Sequence, residues 1–118
     1  MQDFRNLQVW NKAMTLARNC YLATDTFPKH ERFGLVLQMR KSAVSVPSNI
    51  AEGCGRGSDR DFTRFLRIAY GSACEVETQA RIAVEVQVGD VARLQTVISD
   101  AQETRRMISG LIARTSRG

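Results

Sequence analysis

Apolar residues return every three or four positions through four long stretches of this chain, and only two prolines, Pro28 and Pro47, interrupt them. A period near 3.6 gathers such residues on one face of a helix, whereas a half-buried strand needs alternation, which is rare here. The pattern therefore dictates an all-α protein. Short connections between long helices make antiparallel neighbours, so the expected architecture is an antiparallel up-down-up-down four-helix bundle. At 118 residues the chain fits a single domain spanning 1–118 and is long enough to bury a core without staples. No internal repeat or low-complexity stretch divides it.

The first helix is expected from about Leu7 to Thr24, with Val9, Trp10, Ala13, Leu16, Ala17, Cys20 and Tyr21 on one apolar face. The second is expected from Pro28, whose missing N–H costs nothing in a first turn, to Gly53. Three glycines in five residues, Gly53-Cys54-Gly55-Arg56-Gly57, supply a left-handed stop and a loop. Pro47 lies inside this segment and predicts a kink, or two shorter helices broken near Ser45. The third helix is expected to start at the N-cap Ser58, with Asp61 in a capping-box-like position, and to run to about Val88. Gly89-Asp90 ends it and caps a fourth helix running from Val91 to about Arg114. Arg105 falls on the apolar stripe of that fourth helix and spoils it.

Two helices carry more apolar surface than one bundle uses. On the second, Leu35, Met39, Ala43, Val46 and Ile50 form the inner face, while Leu37, Val44 and Ala51 lie roughly opposite, with Arg40 among them. On the third, Ile68, Ser72, Glu75, Gln79, Ile82 and Val86 make a mixed face beside the core positions. Excess apolar surface on a small protein marks an interface, so self-association through these two helices is expected. Gly71 sits in a helix interior at a cost of about 1 kcal/mol relative to alanine, and could let a neighbour approach closely.

Composition removes several function classes. Apolar residues make up 43% and charged residues 25%, which argues against disorder. No apolar run approaches the roughly 18 residues that span a bilayer, and Met1-Gln2-Asp3-Phe4-Arg5 has no signal-peptide pattern, so a cytoplasmic protein with no membrane partner is expected. Cys20, Cys54 and Cys74 are odd in number and widely spaced, which suggests neither a disulfide framework nor a zinc site. The one histidine, His30, has no Glu-x-x-His partner set for a di-iron bundle and no placed partner for a catalytic triad. The glycine-rich loop lacks the lysine and Ser/Thr of a phosphate loop. No catalytic residue, metal ligand or cofactor is therefore expected, and the chain reads as a non-enzyme.

Two polar features remain. The formal net charge is +5, and basic residues gather as Arg56, Arg60, Arg64 and Arg67 around the start of the third helix, with Arg40 and Lys41 on the second. Arg60, Arg64 and Arg67 share one face by their spacing. Such a stripe suits phosphate contacts with RNA or DNA, and equally a solvated helix face. The second feature is the polar stripe of Gln38, Lys41, Ser45, Asn49 and Glu52, with Glu75 on the next helix. It could bind a ligand, or supply the hydrogen bonds that fix helix register.

The chain also resembles a known family, the four-helix-bundle proteins encoded in intervening sequences of bacterial 23S rRNA genes. The resemblance rests on Phe4-Arg5-Asn6-Leu7-Gln8-Val9-Trp10 with Ala13, on the Phe27-Pro28 to Arg40 entry, on Ser42-Ala43-Val44-Ser45-Val46-Pro47-Ser48-Asn49-Ile50-Ala51-Glu52-Gly53, and on Phe62 to Glu75. The fourth helix matches in pattern only. The resemblance implies a four-helix protomer and a ring-like homopentamer, and no known activity, although family members have been suspected of binding RNA or DNA. The expected function is a non-enzymatic homo-oligomer that binds RNA or DNA through its basic surface. The alternative is a protein-interaction scaffold with no nucleic-acid ligand.

Overall fold

A computed structural model describes residues 3–116. It contains four α-helices, α1 (Gln8–Thr24), α2 (Leu35–Gly55), α3 (Asp59–Glu85) and α4 (Val91–Thr115). Short 3-10 turns, Phe4–Asn6 and Lys29–Glu31, precede the first two, and there is no strand among the described residues. Packing is cyclic: α1 on α2, α2 on α3, α3 on α4, and α4 on α1. Specific contacts set the directions. Gly53, late in α2, faces Phe62 and Phe65, early in α3, and Ser45 meets Ser72. Thr63, early in α3, donates to Thr115 at the end of α4. Both pairs are therefore antiparallel, and the bundle is a rod of 46 × 21 × 19 Å.

The core holds one layer of side chains from each helix. Leu16, Met39, Ile50, Leu66, Leu94 and Ile108 are fully buried, and each such side chain contributes about 1.5–3 kcal/mol. Between them sit Ala13, Ala43, Ala69, Ala73, Ala80 and Ala101, also fully buried. These small residues bring the backbones close. Both expected caps form: Ser58 accepts from the Asp61 N–H and Asp90 from the Arg93 N–H, each at 3.2 Å. Each is worth about 1 kcal/mol.

Several boundaries differ from the sequence expectation. Pro28 opens only a 3-10 turn, because Gly34, at φ −100° and ψ −109°, breaks the run before α2 begins at Leu35. The second helix is then unbroken through the buried Pro47 to Gly55, so it is not two shorter helices. The helix runs two residues past the expected end at Gly53, which lies inside α2, where a Cβ would come within 2.9 Å of Phe65 Cβ and 3.0 Å of Phe62 Cδ1. The left-handed glycine is Gly57, at φ 83°. The third helix ends at Glu85, because Gln87 adopts φ 58°. Val88 then donates to the Ala83 carbonyl and Gln87 to that of Val84, which is a Schellman closure. Gly89, at φ +82°, serves a different end. A Cβ there would lie 2.5 Å from the Phe27 ring, so glycine alone lets the α3–α4 loop rest on the α1–α2 loop.

Candidate nucleic-acid interface

The basic residues of the sequence divide between three places. Arg56, Arg60 and Arg64 lie at the α2–α3 connection and the first turns of α3, with Arg67 one turn on, and all four are exposed. Phe65 organises two of them. Its ring is buried, and the guanidinium carbons of Arg56 and Arg64 stand 4.9 Å and 4.5 Å from its centroid. Each stacked arginine also has an acid nearby: Arg56 Nε bonds Glu52 Oε2 at 2.9 Å, and Arg64 Nε lies 3.9 Å from Asp61 Oδ1. Across residues 52–67 the four arginines therefore stand against Glu52, Asp59 and Asp61. The net surplus is small. Arg60 and Arg67 carry it, since neither is in an ion pair among the described residues.

The structure does not bring Arg40 or Lys41 to this cluster. Neighbours on a helix point about 100° apart, so the two diverge. Arg40 faces α1, stacking over Tyr21 at 4.5 Å, donating to Thr24 Oγ1 at 2.8 Å and pairing with Asp25 at 3.2 Å. Lys41 faces the other way, into the cleft between α2 and α3. Arg114, in the last turn of α4, stays apart as well: it lies against Gly110 and lines a hollow with Asn6, Leu7 and Val9 on the α1–α4 side. The Thr63–Thr115 bond holds the last turn of α4 beside the start of α3, but Arg114, about 100° round the helix from Thr115, does not share that contact.

The polar stripe lies along the α2–α3 cleft, an open hollow of about 310 Å³ lined by Gln38, Lys41, Ser45, Ser72, Glu75 and Gln79 among others. Ser45 Oγ and Ser72 Oγ share a hydrogen bond of 2.8 Å, and Asn49 Nδ2 donates to the Ser45 carbonyl and hydroxyl. The Ser45–Ser72 bond ties α2 to α3 within the protomer, and Asn49 holds the Ser45 hydroxyl from within α2. Glu52 is drawn off to Arg56. Gln38, Lys41 and Glu75 stay exposed. The Oε1 of Gln79 is sealed from solvent with no hydrogen-bond donor.

Two ionic networks elsewhere, each centred on a buried carboxylate, bind helices together. Glu77 accepts from Arg105 at 2.9 Å and from Arg81 at 3.1 Å. Burial pushes its carboxyl up, but the two arginines outweigh that and hold it below the usual carboxylate range. Asp100 accepts from Lys12 at 2.9 Å and from Asn19 at 2.7 Å, tying α1 to α4. Cys20 and Cys54 are buried and Cys74 is half-buried. Burial pushes the Cys20 thiol up to about 12, against a small opposing effect of the Arg40 charge. Among the described residues no group of three or more His, Cys, Asp or Glu could hold a metal ion, and no helix is long and apolar enough to cross a membrane.

The fold thus defines an all-α four-helix-bundle protein with Arg56, Arg60, Arg64 and Arg67 exposed around the start of its third helix. The family of 23S rRNA-intervening sequence proteins matches residues 5–110, and the chain belongs to that family. Among solved structures, the chain is similar to a protein of unknown function from the S23 ribosomal protein family of Bacteroides thetaiotaomicron VPI-5482. That likeness has a TM-score of 0.79 at 23% identity and covers 88% of this chain and 97% of the other. At this identity it speaks for the fold alone. No curated protein matches the sequence.

Proposed function

We propose that the chain is a non-enzymatic, homo-oligomeric bundle that binds RNA or DNA through its arginine-bearing end. One observation carries the reading: Arg60 and Arg67 stand exposed on one stripe of α3 without an ion pair among the described residues, beside two arginines stacked on Phe65. Guanidinium groups presented this way suit phosphate oxygens, which give sequence-tolerant, salt-dependent affinity. The surplus charge of one protomer is modest. Repetition around an assembly of several copies, five by family resemblance, multiplies it into a basic surface.

Binding of RNA and DNA oligonucleotides measured across salt tests this reading. Association is expected at about 50 mM salt, where phosphate contacts are strong, and should weaken steeply as salt rises. Arg60→Glu with Arg67→Glu should reduce both the affinity and the slope. Absence of association at low salt would refute the reading. A second reading is a protein-interaction scaffold, favoured by the exposed Leu37, Val44, Ile68 and Ile82 on α2 and α3. Affinity for a protein partner that resists high salt would support it instead.

A further inference from the structure

We infer that neighbouring copies join by laying the outer face of α2 from one against the outer face of α3 from the next, in antiparallel sense, with Lys41 paired to the partner's Glu75. This rests on the homo-oligomer half of the functional reading and adds which surfaces meet, in which direction and at what height.

The two faces have the spacing of a helix-packing seam. On α2, Leu37, Lys41, Val44, Ser48 and Ala51 recur at alternating steps of four and three. On α3, Ile68, Gly71, Glu75, Thr78 and Ile82 do the same. Such steps keep one line of residues on one side over several turns, as in paired helices. Neither line is used inside the protomer. Leu37 is 55% exposed, Val44 42%, Ile68 43% and Ile82 46%, and only Ala51 is partly covered. Apolar side chains at this spacing on a solvated face call for a partner helix.

Charge and shape then select the partner. Each seam carries one ionic residue, of opposite sign: Lys41 on α2 and Glu75 on α3. They line the same cleft of one protomer without an ion pair between them. Setting Lys41 against the partner's Glu75 in antiparallel sense also sets Val44 against the partner's Gly71, and Ser48 against the partner's Ile68. At Gly71 an added Cβ meets nothing within 4 Å, so the glycine serves no packing need of its own protomer. A valine arriving from outside fills that space, and the α3 backbone can be approached closely there.

The same register sets the geometry of the assembly. Within a protomer Ser45 already stands opposite Ser72, which puts Lys41 level with Glu75 across the cleft. Pairing these residues between copies therefore introduces no step along the rod. A contact between two different faces, without an axial step, leads to a closed ring of copies pointing the same way rather than a filament. The arginines at the start of α3 continue the line of the seam, so the ring sets the basic ends side by side.

Charge reversal with mixing tests the pairing. Both positions are exposed, so Lys41→Glu and Glu75→Lys should leave the fold, read by circular dichroism, unchanged. Sedimentation of the wild type at tens of micromolar is expected to show an assembly. Either reversal alone puts like charges together at every junction and should weaken association by about tenfold or more. Mixing the two variants should restore an assembly that contains both, which a pair inside one protomer could not do. Gly71→Leu, which fills the receiving space, should also weaken association. If the wild type assembles but both reversals leave it intact, or mixing restores nothing, the pairing is overturned while the homo-oligomer reading stands. A monomeric wild type overturns both.

Discussion

Arg105 Nε donates to Glu77 Oε1 at 2.9 Å across the α3–α4 interface, and Arg81 Nε bonds the other carboxylate oxygen at 3.1 Å. The Glu77 side chain is only 11% exposed. Removing the carboxylate strands a half-buried guanidinium between two packed helices. Glu77→Ala should therefore lower unfolding free energy by about 2–3 kcal/mol in urea titrations. Glu103→Ala, which breaks only the exposed i,i+3 pair with Arg106, should change it by less than about 0.5 kcal/mol.

The same carboxylate sets a pH dependence. Burial alone would raise the Glu77 pKa, but hydrogen bonds from Arg105 and Arg81 and their charges bring it below its ordinary value of 4.5. The folded state therefore holds this proton less tightly than the unfolded chain. The stabilisation from ionised Glu77 is fully present above the unfolded pKa and is lost as pH falls through the lower folded one. The difference in Tm between wild type and Glu77→Gln should be constant from pH 6 to 8 and shrink below about pH 4.5. A difference that grows on acidification would contradict the assignment.

At the end of α3, Gln87 holds φ 58° and closes a Schellman motif. A side chain in that region costs about 1 kcal/mol that glycine does not incur. Gln87 is exposed, so its side chain contributes little packing in return. Gln87→Gly is expected to raise stability by about 0.5–1 kcal/mol, seen as a higher urea midpoint at unchanged slope.

These residues also show where the sequence was legible. The four helices could be read because their apolar periods run for many turns, and the caps Ser58 and Asp90 because short polar side chains before such periods have one use. Arg105 looked like a flaw in the α4 stripe, since its partner Glu77 lies 28 positions away in the chain. Arg40 and Lys41, adjacent in sequence, face opposite clefts, which the helical angle alone allowed one to anticipate. The stretch Gly53–Gly57 does hold the left-handed glycine, at Gly57, but which of its glycines serves a turn and which a close approach is decided only by the position of Phe62 and Phe65. Of the polar stripe, Ser45 bonds Ser72 across α2–α3 and Asn49 only supports Ser45 from the same helix; the sequence left register and ligand binding both open.

Two glycines inside helices should respond oppositely to alanine. Alanine favours a helix interior by about 1 kcal/mol over glycine. At Gly71 nothing obstructs the new methyl. Gly71→Ala, measured in a Lys41→Glu background to isolate the protomer, is therefore expected to stabilise it by up to about 1 kcal/mol. At Gly53 the Cβ would press on Phe65 Cβ at 2.9 Å and the Phe62 carbonyl at 3.3 Å, neither of which is a flexible side-chain end. The overpacking cost exceeds the helical gain, so Gly53→Ala should destabilise by about 1–2 kcal/mol in the same assay.

The three cysteines separate by burial, and their reactivity should follow. The thiolate is the reactive form. Cys20 is fully buried and its pKa is pushed up to about 12, so almost none of it is ionised at pH 8. Burial also raises Cys54, helped by the charge of Asp3. Cys74, half-buried on α3, keeps a path to solvent. A thiol reagent at pH 8 is expected to modify one cysteine per folded chain, at Cys74, and all three once urea unfolds the bundle. Peptide mapping identifies the modified site, and rapid labelling of Cys20 in the folded protein would contradict its place in the core.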